Sequence, residues 1–165
     1  GELDYMIVDL PPGTGDIHLS LVQSIPLTGA VIISTPQDIA LADAKKGINM
    51  FQMDSIKVPI IGLVENMSYF VPEELPNNKY FIFGKDGVKT LADQMQVRLL
   101  EQIPLVQSIR EASDGGRPAI LQGDTEISKT FVSLSKNFIE SVEKRNINLI
   151  PTKKVDITHN KGCSN

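Results

Sequence analysis

The stretch YMIVDLPPGTGD, from Tyr5 to Asp16, places an aspartate at the end of an apolar run and follows it with two prolines and two glycines. The aliphatic run from Tyr5 to Leu10 predicts a buried parallel strand with Asp9 near its carboxyl end. In nucleotide-hydrolysing α/β folds, an acid at that position supports a magnesium ion, usually through a bound water. Gly13 and Gly15 have no Cβ, so their backbone can approach a ligand closely, and the amide N–H groups of such a loop can meet a terminal phosphate oxygen. Pro11 and Pro12 narrow the loop's conformations before any ligand arrives. The same residues fit an ordinary strand-to-helix turn in which Asp9 or Asp16 serves as a helix cap. The pattern alone leaves both readings open.

A second candidate is Asn66, which ends the run VPIIGLVEN. Its amide carries a donor and an acceptor, matching the paired donor and acceptor edge of adenine, and its place after a buried strand puts it at the ligand-binding edge of a parallel sheet. The competing reading is a side chain that caps local backbone. Other chemically capable residues carry less. Arg110, Lys45 and Lys46 read as solvated surface charges, with a phosphate or partner contact as the alternative for Arg110. His18 stands near the start of a helix with no cysteine or second histidine nearby, which reads as structural. His159 and Cys163, in the polar tail DITHNKGCSN, are too few for a metal site, and none is expected.

These side chains need elements to position them. GAVIIST (Gly29 to Thr35) and the run from Val58 to Asn66 join Tyr5 to Leu10 as near-continuous apolar stretches, the signature of parallel strands buried on both faces. Between them, Thr35-Pro36-Gln37-Asp38 offers a capping hydroxyl, a first-turn proline and an acid, predicting a helix from there to about Met53. Asp124 or Thr125 can cap a later helix whose Ile127, Phe131, Leu134, Phe138 and Val142 share one face, with Asn146 and Pro151 ending it. Strands separated by helices imply crossovers. The expected fold is therefore α/β: a doubly wound, mostly parallel sheet flanked by helices, binding ligands at the carboxyl ends of its strands. The expected organisation is one domain over residues 1–150 and a flexible polar tail over residues 151–165.

Composition agrees with a globular domain. The chain has 165 residues, 41% of them hydrophobic, enough for a sizeable core. A net charge of -4 gives no basic field, so nucleic acid is not an expected partner. No run of about 18 apolar residues occurs, so no membrane partner is expected either. With a single cysteine no disulfide can form within the chain, which suggests a reducing compartment and a cytoplasmic location.

Four stretches, DYMIVDLPPGTGDIHLSL, PLTGAVIISTPQDIALADAKKGINMF, VPIIGLVENMSYF and IPLVQSIREASDGGRPAI, resemble in order and spacing the Mrp/ApbC family of P-loop ATPases. These are iron-sulfur cluster carriers related to MinD and the nitrogenase iron protein. The resemblance spans roughly Leu3 to Val142 and implies a partial P-loop NTPase domain with ATP and magnesium as cofactors. It implies that Asp9 is the Walker B acid, that Gly13 belongs to the switch loop sensing the γ-phosphate, and that Asn66 recognises adenine. Pro104, in the segment after Ile103, would belong to the part that closes over the base. It further implies a homodimer that delivers clusters to iron-sulfur client proteins.

Two departures stand against that pattern. No G-x-x-x-x-G-K-[ST] occurs, since FGKDG (Phe83 to Gly87) lacks both the upstream glycine and the hydroxyl after the lysine. In the family this loop precedes the Walker B strand, so the chain reads as the C-terminal part of a larger ATPase and is expected to be inactive alone. The C-x-x-C pair that many relatives place shortly after ENMSYF, where two subunits can share a cluster through four thiolates, is also missing. In its place stands VPEELPNNKYFIFG, and the surrounding Tyr69, Phe70, Tyr80, Phe81 and Phe83 suit either a protein interface or a small satellite core. The expected function is an ATP-dependent iron-sulfur cluster carrier. The alternatives are a MinD-like or ParA-like positioning ATPase, or a non-enzymatic scaffold that interacts through the aromatic loop.

Overall fold

Parallel strands carry the sheet, as the aliphatic runs require. A computed structural model describes residues 1–154 apart from Thr14, Glu73, Pro76 and Gln122. Among the described residues the strands are β1 (Ala30–Ser34), β2 (Ile60–Glu65) and β3 (Leu99–Gln102), hydrogen-bonded in the order β1-β2-β3 and parallel throughout. Helix α1 (Asp16–Ser24) precedes β1, α2 (Asp38–Gln52) links β1 to β2, and α3 (Gly87–Met95) links β2 to β3. Beyond β3 come α4 (Gln107–Asp114), a 3-10 turn (Ala119–Leu121) and the long α5 (Glu126–Asn148).

Successive strand residues point to opposite faces, and β2 uses both. Leu63 packs with Ala44 and Ile48 of α2 and with Val88, Leu91 and Ala92 of α3. Val64 points the other way, into a cluster with Leu100, Ile103 and Ile127, against which Phe131, Leu134 and Phe138 of α5 pack. Helices therefore cover both faces of a parallel sheet, the doubly wound arrangement expected. Val22 of α1 adds a third cluster with Phe51, Ile56 and Val58. Gly62 permits the close approach of β2 and β3, because a Cβ there would lie 2.4 Å from Leu100 Cγ and 2.9 Å from the Arg98 carbonyl oxygen.

Two expectations need correction. Tyr5 to Leu10 forms no strand: Met6 is 69% and Ile7 80% exposed, and Tyr5 touches the body through an edge-on contact with Phe138, ring centroids 6.1 Å apart. Aliphatic composition favours a strand only where the backbone finds a neighbour to pair with, and no described residue pairs with this segment. Helix α2 begins at Asp38 with Gln37 at its N-cap and no side-chain cap, and the Thr35 hydroxyl donates to Gln37 Oε1 at 3.1 Å. Helix α5 ends at Asn148, between the Asn146 and Pro151 expected to stop it. At its other end Thr125 is the cap, its hydroxyl oxygen accepting from Ser128 N at 3.1 Å.

Candidate functional site

The carboxyl ends of β2 and β3 are tied into one turn. Ile103 N donates to Glu65 O at 2.8 Å, Ser68 N to Ile103 O at 2.9 Å, and Leu105 N to Tyr69 O at 2.7 Å. Asn66 and Met67 form an arch between these anchors. Asn66 N donates to Ser34 O of β1 at 2.8 Å, so the arch is also fixed to the neighbouring strand. Met67 takes a left-handed conformation at φ 55, a state that non-glycine residues keep only when their surroundings over-determine it. Its N–H donates to Asn66 Oδ1 at 3.0 Å, which sets the orientation of the amide. Asn66 thus does cap local backbone, while its Nδ2 has no acceptor among the described residues and stays available as a donor. Pro104 lies buried in the facing segment, between the two residues whose amides make the cross-links. The structure therefore brings Asn66 and Pro104 together at one edge of the sheet.

Asp9 and Gly13 lie elsewhere in the chain's architecture. Asp9 is exposed and makes no hydrogen bond or ion pair among the described residues. Gly13 adopts φ 100, a conformation that favours glycine, and a Cβ added there would meet nothing within 4 Å. The cap of α1 is Gly15, with no side-chain bond, so neither Asp9 nor Asp16 fills the capping role that was their alternative reading. No hydrogen bond or ion pair joins the Asp9–Gly13 segment to the Asn66–Pro104 turn among the described residues.

Other side chains behave structurally. His18 is buried and meets Phe51 edge-on at 6.5 Å. Arg110 lies on the surface and pairs with Asp114 at 3.4 Å, and Lys46 pairs with Asp43 at 3.0 Å. Such exposed pairs are worth a few tenths of a kcal/mol, roughly. The aromatic loop is ordered by backbone: Phe70 and Tyr80 exchange hydrogen bonds at 2.8 Å. Lys79 stacks over Tyr69 at 4.1 Å and Lys85 over Phe81 at 5.1 Å. Of its five aromatics Tyr69, Phe70 and Phe83 are half-buried, and Tyr80 and Phe81 are exposed. Among the described residues no group of three or more His, Cys, Asp and Glu is placed to hold a metal, and no helix is long and apolar enough to cross a membrane. His159 and Cys163 fall outside the described residues.

Sequence reasoning missed Glu65, which is fully buried with no cationic partner among the described residues. Its Oε1 accepts from the Ser68 hydroxyl and from Gln102 Nε2 at 2.7 Å, and its Oε2 accepts from Val88 N, in the first turn of α3, at 2.7 Å. Gln102 Nε2 also donates to Asp86 Oδ1 at 3.0 Å. A buried carboxylate is tolerated when donors saturate it, and the N-terminus of α3 adds a favourable dipole. The only signal in the sequence was an acid closing an otherwise apolar run.

The chain matches, over residues 1–139, the family described as ParA: NUBPL iron-transfer P-loop NTPase. It is 48% identical over 145 residues to an Arabidopsis thaliana protein named as an iron-sulfur protein required for NADH dehydrogenase, covering 87% of this chain and 45% of that one. It is 42% identical over 147 residues to an iron-sulfur cluster carrier protein of Aquifex aeolicus, covering 88% and 39% respectively. Among solved structures, a nucleotide-binding protein from Archaeoglobus fulgidus in complex with ADP superposes with a TM-score of 0.63 at 38% identity, over 71% of this chain and 47% of that one. The chain spans less than half the length of each of these relatives.

Proposed function

Because the chain belongs to the ParA family of NUBPL-type iron-transfer P-loop NTPases, we propose that it is the adenine-binding part of an ATPase that carries iron-sulfur clusters to client proteins. The observation that carries this reading is the Asn66 arch: an amide held in one orientation, with a spare donor, at the carboxyl edge of a parallel sheet. Asn66 would read the base, with Pro104 and its neighbours as the framework behind it. Gly13, in a conformation that suits glycine and with open space around it, would let the loop backbone approach the γ-phosphate. Asp9 is exposed and unpaired among the described residues, so its carboxylate fits an acid that holds magnesium through water. When bound, the ion would neutralise charge on the phosphates. The lysine that cradles them has no counterpart in this chain.

The cargo raises a separate question, because the thiolates that would hold a shared cluster are absent from the aromatic loop. In this reading the loop holds protein to protein, with Tyr80 and Phe81 exposed for contact with a second copy or a client. Cluster ligands come from other parts of the full-length protein or from a partner. A reducing compartment such as the cytoplasm suits both cargo and chain.

Anaerobic reconstitution with iron and sulfide tests this. The full-length protein is expected to bind iron and develop a visible absorption band, and this chain carrying Cys163→Ser is expected to bind none. A full-length protein without iron would favour the positioning ATPase or the scaffold. A stoichiometric, stable cluster on the Cys163→Ser chain would overturn the assignment of ligands outside the loop.

A further inference from the structure

We infer that Glu65 is a positioning residue for nucleotide choice: its buried carboxylate holds the Asn66 arch in the one shape that favours adenine over guanine. The inference rests on the reading of Asn66 as the base contact. The arch is closed three times over a span of four residues, by Glu65 O to Ile103 N, by Ile103 O to Ser68 N, and by the Ser68 hydroxyl to Glu65 Oε1. The first two bonds are backbone and would form with any residue at 65. The third requires an acceptor on that side chain, and the same carboxylate reaches Gln102 at the end of β3 and Val88 at the start of α3. One side chain therefore ties together both strand ends and the helix that follows the aromatic loop.

This bears on specificity through the amide of Asn66. Adenine presents an amino donor beside a ring acceptor, whereas guanine presents a carbonyl acceptor beside a ring N–H, the reverse order. An asparagine free to rotate serves either base by flipping. Here a flip would turn Nδ2 towards Met67 N and set donor against donor, because Met67 N now donates to Oδ1. That lock works only while Met67 keeps its left-handed conformation, and the arch between Glu65 and Ser68 is what enforces it. Glutamine at 65 keeps the size but replaces one acceptor by a donor: turned towards Ser68 and Gln102, the new amide removes the acceptor that closes the arch, and turned towards Val88 N it sets donor against donor and pushes the side chain off the helix that braces it.

The test compares equilibrium affinities for ATP and GTP in the full-length protein, with thermal unfolding measured in parallel. Asn66→Ala should abolish the preference for ATP, and Glu65→Gln should lower it about tenfold, the scale of one mispaired buried group. Ser68→Ala, which keeps the Gln102 and Val88 bonds, should lower it less and serves if Glu65→Gln does not fold. A purely structural Glu65 would shift the unfolding temperature and leave the ATP:GTP ratio of the folded protein unchanged. That result, alongside a lost preference in Asn66→Ala, overturns the role of Glu65. A preference that survives Asn66→Ala, or is absent from the unaltered protein, overturns the base-site reading and this inference with it.

Discussion

Replacing Asp9 by asparagine in the full-length protein is expected to lower ATP turnover by about two orders of magnitude or more, the scale of losing one preorganised electrostatic element. The substitution keeps the shape of the side chain and removes the charge. It is also a clean experiment on structural grounds, since Asp9 is exposed and bonded to nothing among the described residues. A surface change of that kind alters stability by roughly half a kcal/mol or less. A large kinetic effect with unchanged unfolding would therefore report on magnesium and the phosphates. Near-normal turnover in the folded variant would mean that Asp9 has no part in the chemistry.

The second large effect concerns these 165 residues on their own. They are expected to bind magnesium-ATP no more tightly than millimolar, about a thousandfold weaker than a micromolar site. Most of the nucleotide's charge sits on its phosphates, and binding them takes a cradle of backbone N–H groups and a lysine. The chain has no G-x-x-x-x-G-K-[ST] to provide it. Asn66 would touch one end of the ligand and Asp9 the other, with the charge between them unmatched. Titration calorimetry on this chain checks the expectation, and a micromolar dissociation constant would refute it.

How far the sequence could be read depended on where each element finds its stabilising partners. Strand β2 and the apolar face of α5 were legible because their apolar pattern and their burial are the same fact: Ile127, Phe131, Leu134 and Phe138 recur on one face and pack on one cluster. Strand β1 forms as expected but is not buried on both faces, since Ile33 is 65% exposed. Thr125 was legible because a cap is local, needing only its own first turn. Tyr5 to Leu10 misled because strand formation is not local. Its composition suits a ladder, yet the pairing must come from another strand, and among the described residues none is supplied. The start of α2 lies at Asp38, with Gln37 rather than Thr35 at the N-cap.

The candidate site divides in the same way. Asn66 could be picked out by its place after an apolar run and Pro104 by the family resemblance alone, but their adjacency depends on backbone bonds between segments far apart in sequence. Glu65 was invisible for a related reason. An acid at the end of an aliphatic strand looks like the first residue of a solvated loop, and only the arrival of Ser68, Gln102 and the N-terminus of α3 makes it a buried hub. Periodicity reports which face is apolar and is silent on which polar groups meet inside.

The central claim, that the turn joining the ends of β2 and β3 holds the adenine base, is tested most directly by photolabelling. The full-length protein is irradiated with an ATP analogue bearing an azide on its adenine ring, with excess ATP as the control, and the modified peptides are mapped by mass spectrometry. Labels that ATP displaces are expected on the segments Asn66 to Phe70 and Ile103 to Val106, which lie side by side through the Tyr69 and Leu105 bond of 2.7 Å. ATP-displaceable labels confined to any other part of the protein would contradict it.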